Sequence, residues 1–157
     1  MRRRYTVPIF LAGLMLLTRV SNSIINHKMA RDYLLKRIIQ HQITSSLLLT
    51  SAREGNFDAV AKFIQQGAPI NCFNKIGTTP LMFAAINNQT NMAQLLLIKG
   101  ANPNAQDNIG NTALHYAIYN NHIETVDLLM RYQADTLIKN RNQQTPQDLL
   151  LTNKINN

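Results

Sequence analysis

NKIGTTPLMFAAINNQTNMAQLLLIKGANPNAQ, residues 74–106, is the stretch from which the rest of the chain can be read. It recurs. Gly77 is matched by Gly110 and then by Gln143, and Gly67 by Gly100 and then Gln133, each step being 33 residues. TTPLMFAA (78–85) aligns with NTALHYAI (111–118), and MAQLLLIKGANPN (92–104) with TVDLLMRYQADTL (125–137). A fixed period of this length marks a stacked repeat architecture. Within one unit, Thr79 is placed to cap a helix and Pro80 suits its first turn, where a missing N–H costs nothing. Asn87-Asn88 closes that short helix. Met92, Leu95, Leu96 and Ile98 then form a second apolar stripe, and Gly100 suits a left-handed cap. Ala-Asn-Pro-Asn makes a turn-rich link to the next copy. A unit this thin cannot bury its own apolar face, so it must stack on a neighbour.

The TTPLMFAA and NTALHYAI openings resemble the T-P-L-H-x-A start of the ankyrin-repeat family, over roughly residues 44–152. The resemblance implies an all-α solenoid of helix-turn-helix units joined by short hairpin-like turns. The units fall at 44–73, 74–106, 107–139 and 140–152, the last partial, with a frayed tail at 153–157. In the first, Ser46 stands for the capping Thr and Leu47 for the Pro, while Leu48, Ser51 and Ala52 keep the inward positions. In the third, Ala113 replaces the Pro and Gln133 the closing glycine, a substitution expected to cost stability. Thr145-Pro146 keeps the fourth helix start.

The charge is uneven. Residues 1–44 carry eight basic side chains (Arg2, Arg3, Arg4, Arg19, Lys28, Arg31, Lys36, Arg37) against Asp32, whereas residues 45–157 carry eight basic and seven acidic. The repeats are therefore near neutral and present no phosphate-tracking stripe, which disfavours nucleic acid as a partner. Residues 1–23 have the parts of an export signal: Arg2–Arg4, an uncharged stretch from Val7 to Leu17, and the small residues Ser21 and Ser23. The apolar stretch is shorter than the roughly 20 residues that span a bilayer. Arg19 disfavours cleavage, so an uncleaved membrane tether competes with a cleaved leader. A mitochondrial presequence and a plain buried helix are weaker readings. In 24–43, Leu34, Leu35, Ile38, Ile39 and Ile43 recur at helical steps, which predicts an amphipathic helix. It is expected to cover the open end of the first repeat, its basic face offering the alternative of an anionic membrane surface. Residues 1–43 are thus the candidate membrane contact. The expected location is exported or membrane-anchored, with cytoplasmic as the alternative.

No reaction centre is legible. His27, His41, His115 and His122 have no metal-ligand spacing, and Cys72 is the lone cysteine. Glu124 and Asp127 read as a solvated helix face. No phosphate loop or nucleophile elbow occurs. No catalytic residue, cofactor, metal or small-molecule substrate is expected. The family resemblance implies that His115 brackets repeat turns through hydrogen bonds, and that Met82 loses this bracket in the preceding copy. It also implies a protein partner bound by hairpin tips and the concave face. The matching residues are Arg53 and Glu54 in the first repeat, then Lys75, Ile76, Thr78, Ile86 and Asn87 in the second. The third supplies Asn108, Ile109, Asn111, Tyr119 and Asn120, and the fourth Arg141 and Asn142. Ile76 and Ile109 are expected exposed unless the hairpins pack on each other. The function expected is a non-catalytic adaptor. The alternative is a stabilising subunit or inhibitor dedicated to one enzyme of the exported compartment.

Overall fold

The computed structural model describes residues 9–155, with side-chain surroundings from 27 to 152. Among the described residues it is all-α, with seven helices and no strand. They are α1 (Ile9–Glu54), α2 (Phe57–Gln65), α3 (Pro80–Ile86), α4 (Thr90–Ile98), α5 (Ala113–Tyr119), α6 (Ile123–Arg131) and α7 (Pro146–Ile155). The chain divides into two compact units, residues 1–40 and 41–157.

In the second unit the helices pair as the period requires. Helix α3 packs on α4 and α5 on α6, while α3, α5 and α7 stack from one repeat to the next and α4 stacks on α6. The core is drawn from equivalent positions: Leu48, Leu81 and Leu114 on the first helices, and Val60, Ala93 and Val126 on the second. In α4 the inward residues are Met92, Ala93, Leu96 and Leu97, while Ile98 is 60 % exposed. Ile98 was expected inside; helical geometry gives that face to pairs four apart, 92/96 and 93/97, and turns Ile98 away.

The short first helices start on threonine caps. The Thr79 hydroxyl accepts the Met82 N–H at 3.3 Å, and Thr112 does the same for His115 at 3.5 Å. Thr145 repeats the arrangement with Asp148 at 3.1 Å. One position, three residues past the cap, must return an acceptor to the cap's own N–H, and the chain solves this three ways. The Met82 thioether accepts Thr79 N–H at 3.4 Å, the His115 imidazole accepts Thr112 N–H at 3.1 Å, and the Asp148 carboxylate accepts Thr145 N–H at 2.9 Å. Because His115 Nδ1 accepts, its Nε2 carries the proton and donates to the Gln144 carbonyl of the next repeat at 3.2 Å. The bracket expected lost at Met82 is therefore half kept: sulfur closes the turn but has no proton to give to the following repeat. At Asp148 the same hydrogen bonds from Thr145 hold the carboxyl below its usual range. Burial lowers the His115 pKa, and the Gln144 carbonyl and Asp107 act against that shift.

Left-handed backbone ends the second helices. Gly67 and Gly100 have φ of 83° and 90°, and Gln133 adopts 61° at the equivalent site. The cap geometry does not shift to spare Gln133, so this residue carries the strain expected of it.

Three boundaries differ from expectation. No helix begins at Ser46: α1 runs unbroken through it and through Ser23 and Ile24. The segment before Ser46 has neither the proline nor the glycine turn that starts the other first helices, so the helix continues. Leu34, Leu35, Ile38 and Ile39 belong to the first unit and are 49–55 % exposed. At the other end, α7 continues to Ile155 rather than stopping at 152. Residues 1–8, which include Arg2–Arg4, lie outside the described residues, as do Asn156 and Asn157. Among the described residues, no helix is long and apolar enough to cross a membrane.

Candidate protein-binding surface

The loops between repeats are built by three side chains, each 33 residues from the next. The Asn74 Oδ1 accepts the N–H groups of Ile76 at 3.0 Å and Thr78 at 2.9 Å. Asp107 does the same for Ile109 at 3.0 Å and Asn111 at 2.9 Å. Asn140 serves Asn142 at 2.9 Å and Gln144 at 3.0 Å. Each N–H of these three also meets a carbonyl four residues on, at 3.0–3.1 Å, which closes a hairpin-like turn without a strand. A short Asx side chain that satisfies two amides at once fixes the turn and pushes the two residues after it outwards. Those pairs are Lys75-Ile76, Asn108-Ile109 and Arg141-Asn142.

Successive turns are stitched together. Asn108 N–H donates to the Ile76 carbonyl at 3.0 Å, and Arg141 N–H to the Ile109 carbonyl at 2.9 Å. The Asn108 amide also donates to the Lys75 carbonyl at 3.1 Å. The hairpins do pack on one another, yet through backbone: the Ile76 and Ile109 side chains remain 63 % and 53 % exposed. Gly110 is required here. A Cβ on it would lie 2.9 Å from Asn140 Cα, and its φ is +80°.

Two expected contact residues do not reach the surface. Thr78 and Asn111 are 3 % and 5 % exposed. Their N–H and C=O close the hairpins, and Asn111 Oδ1 accepts from the Asn140 amide at 3.0 Å. They hold the surface up and do not form it. Ile86 is half-buried, and Arg53, Glu54, Lys75, Asn87, Asn108, Tyr119, Asn120, Arg141 and Asn142 are exposed. Asn87 reaches across to the Arg53 carbonyl at 3.1 Å, which brings first- and second-repeat residues together. The Asn120 side-chain amide donates to the Tyr116 carbonyl of the helix it caps, at 2.9 Å. Tyr119 is 44 % exposed, but its hydroxyl donates to Gln144 Oε1 at 3.0 Å and accepts from Asn140 at 3.2 Å. Its ring edge is available; its polar end is committed between repeats.

Sequence reasoning missed Phe73. It is 69 % exposed and lines a cleft of about 420 Å³ between α1, the first hairpin and Phe83 of α3. The signal was present: the equivalent positions are Gln106 and Lys139, so an aromatic there is peculiar to this repeat. The Asp107–Tyr116 contact was also missed. The Tyr116 hydroxyl donates to Asp107 Oδ2, and burial together with that carboxylate pushes the phenol up to about 12. Cys72 is buried, donates its thiol to the Ser45 carbonyl at 3.7 Å, and is pushed by burial to about 11. Such a thiol is a packing group, since reactivity needs the thiolate. Among the described residues, no three His, Cys, Asp or Glu side chains gather to hold a metal ion.

Stacked helix pairs, Asx-closed hairpins and threonine-capped first helices define the class: the chain belongs to the ankyrin-repeat family. The model of that family, ankyrin repeats in three copies, matches residues 26–107 and 47–142. Repeats of this kind are protein-interaction modules. The chain is also similar to the mitochondrial disaggregase of Homo sapiens, 40 % identical over 50 residues, which is 32 % of this chain and 7 % of the relative. The Bos taurus mitochondrial disaggregase is 38 % identical over 50 residues, with the same coverage of each chain. The chain thus spans about 7 % of the length of these curated relatives.

Proposed function

We propose that the chain is a non-catalytic adaptor that binds a protein partner across its hairpin tips and the adjoining first helices. Its N-terminal segment carries it across a membrane or holds it to one. The observation that supports the first part is the pair Ile76 and Ile109, exposed at equivalent tips whose backbone groups are already satisfied by the turns. Exposed apolar side chains on hydrogen-bonded turns, with the exposed polar Asn87, Asn108 and Asn120 in the same repeats, have the makeup of an interface centre with a polar rim. In the second part, the basic start and apolar stretch of residues 1–23 supply the export signal, and the open Leu34, Leu35, Ile38 and Ile39 stripe beside Lys36 and Arg37 suits a membrane surface. Nothing of the disaggregase relatives' activity is carried over, because the shared 50 residues are about 7 % of those proteins.

The binding reading is tested by affinity capture with the full chain and with Ile76→Asp/Ile109→Asp. Loss of a stoichiometric partner with an unchanged circular dichroism spectrum is the expected result. Retention of that partner moves the site off the tips. The membrane reading is tested by fractionation with intact-mass measurement. Soluble cytosolic protein with Met1 intact overturns it.

A further inference from the structure

We propose that the cleft of the first two repeats receives an acidic, extended segment of the partner, with carboxylates at Arg53 and Lys75 and an apolar side chain against Phe73 and Phe83. This rests on the protein-binding reading above and adds the chemistry of what is bound. Arg53 on α1 and Lys75 on the hairpin face the same cleft of about 420 Å³, and no carboxylate lines it. Both are exposed. Their backbones are pinned, since the Arg53 carbonyl accepts from Asn87 and the Lys75 carbonyl from Asn108, each at 3.1 Å. Two cationic side chains on pinned backbone thus line one cleft.

The near-neutral count of the repeats conceals this. The acids Asp58, Glu124, Asp127 and Asp135 lie on the second helices and the loops that follow them, Asp148 lies on α7, and Glu54, though next to Arg53 on α1, does not line the cleft. Asp107, on the hairpin side, is buried and occupied by its own turn and by Tyr116. The cleft is therefore locally positive within a neutral domain. Its remaining wall joins an apolar part, Phe73 at 69 % exposed with the half-buried Phe83 and Leu49, to the uncharged polar Gln42, Ser45, Ser46, Thr50 and Asn74. The volume falls in the ~300–1,000 Å³ range of ligand clefts. A few side chains of an extended chain are enough to fill it. An extended segment also turns alternate side chains to opposite sides, which matches a cationic edge and an aromatic wall. A guanidinium takes a carboxylate through two parallel bonds, so Arg53 sets register while Lys75 supplies a point charge.

The test is fluorescence anisotropy of the full chain with a fluorescein-labelled peptide of alternating Glu and Phe, beside its Lys-for-Glu counterpart. The acidic peptide should bind, the basic one should not, and affinity should fall as salt rises. Arg53→Gln/Lys75→Gln should weaken the acidic peptide at least about tenfold. Lys62→Gln/Lys99→Gln makes the same change of charge away from the cleft and should stay within about twofold. Where the first pair disturbs folding, Lys75→Gln alone, at an exposed tip, gives the same reading. Equal loss from both pairs overturns the proposal, as does equal binding of both peptides or no binding at ~1 mM. An oligothymidylate that outcompetes the acidic peptide at Arg53 and Lys75 overturns it too. A partner retained by Arg53→Gln/Lys75→Gln but lost with Ile76→Asp/Ile109→Asp overturns this inference and leaves the broader reading standing. A chain that captures no partner removes the broader reading itself.

Discussion

Leu114→Ala probes the interior of the stack. Leu114 is fully buried on α5, and that helix is packed on α3 on one side and α7 on the other. Leucine truncations cost ~2–5 kcal/mol, depending on how far the surroundings can close the void. Here the surroundings are held on both sides by hairpins and threonine caps, so the upper part of the range applies, ~3–5 kcal/mol. At about 4 °C per kcal/mol for a domain of this size, the thermal midpoint should fall by roughly 12–20 °C. Coupling between repeats is nearest-neighbour, so weakening a central unit should also broaden the urea transition and lower its slope. Asn120→Ala is the control. That side chain is exposed and bonds within its own helix, and its loss should stay within about 0.5 kcal/mol. The assay is urea denaturation followed by far-ultraviolet circular dichroism and tyrosine emission. Small and equal shifts for both variants would refute the inward register of Leu114, and with it the repeat alignment.

Three further outcomes are expected. Burial keeps the folded-state pKa of His115 below the ordinary imidazole value, so the unfolded chain binds the extra proton first as pH falls. Its contribution to stability is complete above about pH 6.5 and is lost on acidification through the folded value. His115→Met should flatten the fall in urea midpoint between about pH 7.5 and 5, and an unchanged slope would discount the shift. Gln133 holds a left-handed φ of 61°, and Gln133→Gly should raise stability by about 0.5–1 kcal/mol in the same assay. Gly110→Ala and Gly100→Ala both place alanine at positive φ, but only the first drives a Cβ into backbone. Gly110→Ala should therefore be the more damaging by ~1 kcal/mol or more in thermal melts, and equality would mean that the hairpins do not stack closely.

The features legible in the sequence were those that recur at a fixed step and act locally. Thr79 and Thr112 cap because residue type and place suffice, and Leu81 and Leu114 are buried because helical spacing points them inward. What escaped depends on the next repeat. Thr78 and Asn111 are polar turn residues, which reads as exposure, until the Asx side chains of Asn74 and Asp107 take their amides. Those Asx residues recur at the same step as the glycines and could have been read from it. The extent of α1 escaped for another reason. Its start-and-stop signals between Ile24 and Ser46 are weak, and an unbroken helix is what remains when no residue ends one. At the surface, a count of charges could not reveal that Arg53 and Lys75 share a cleft while the acids sit elsewhere.

The three residues at the capping-return position also give the array a direction of inheritance. His115 keeps a proton for the carbonyl of whatever unit follows, while Asp148 spends both its carboxylate contacts on Thr145. A duplication of residues 107–139 would set a new Asn111 carbonyl where Gln144 now receives His115, and the added copy would in turn hand its own proton on. Copying residues 140–152 instead would insert a member whose Asp148 carboxylate has no proton to pass forward. The tie from one repeat to the next through this position is thus present at His115 and absent at Met82.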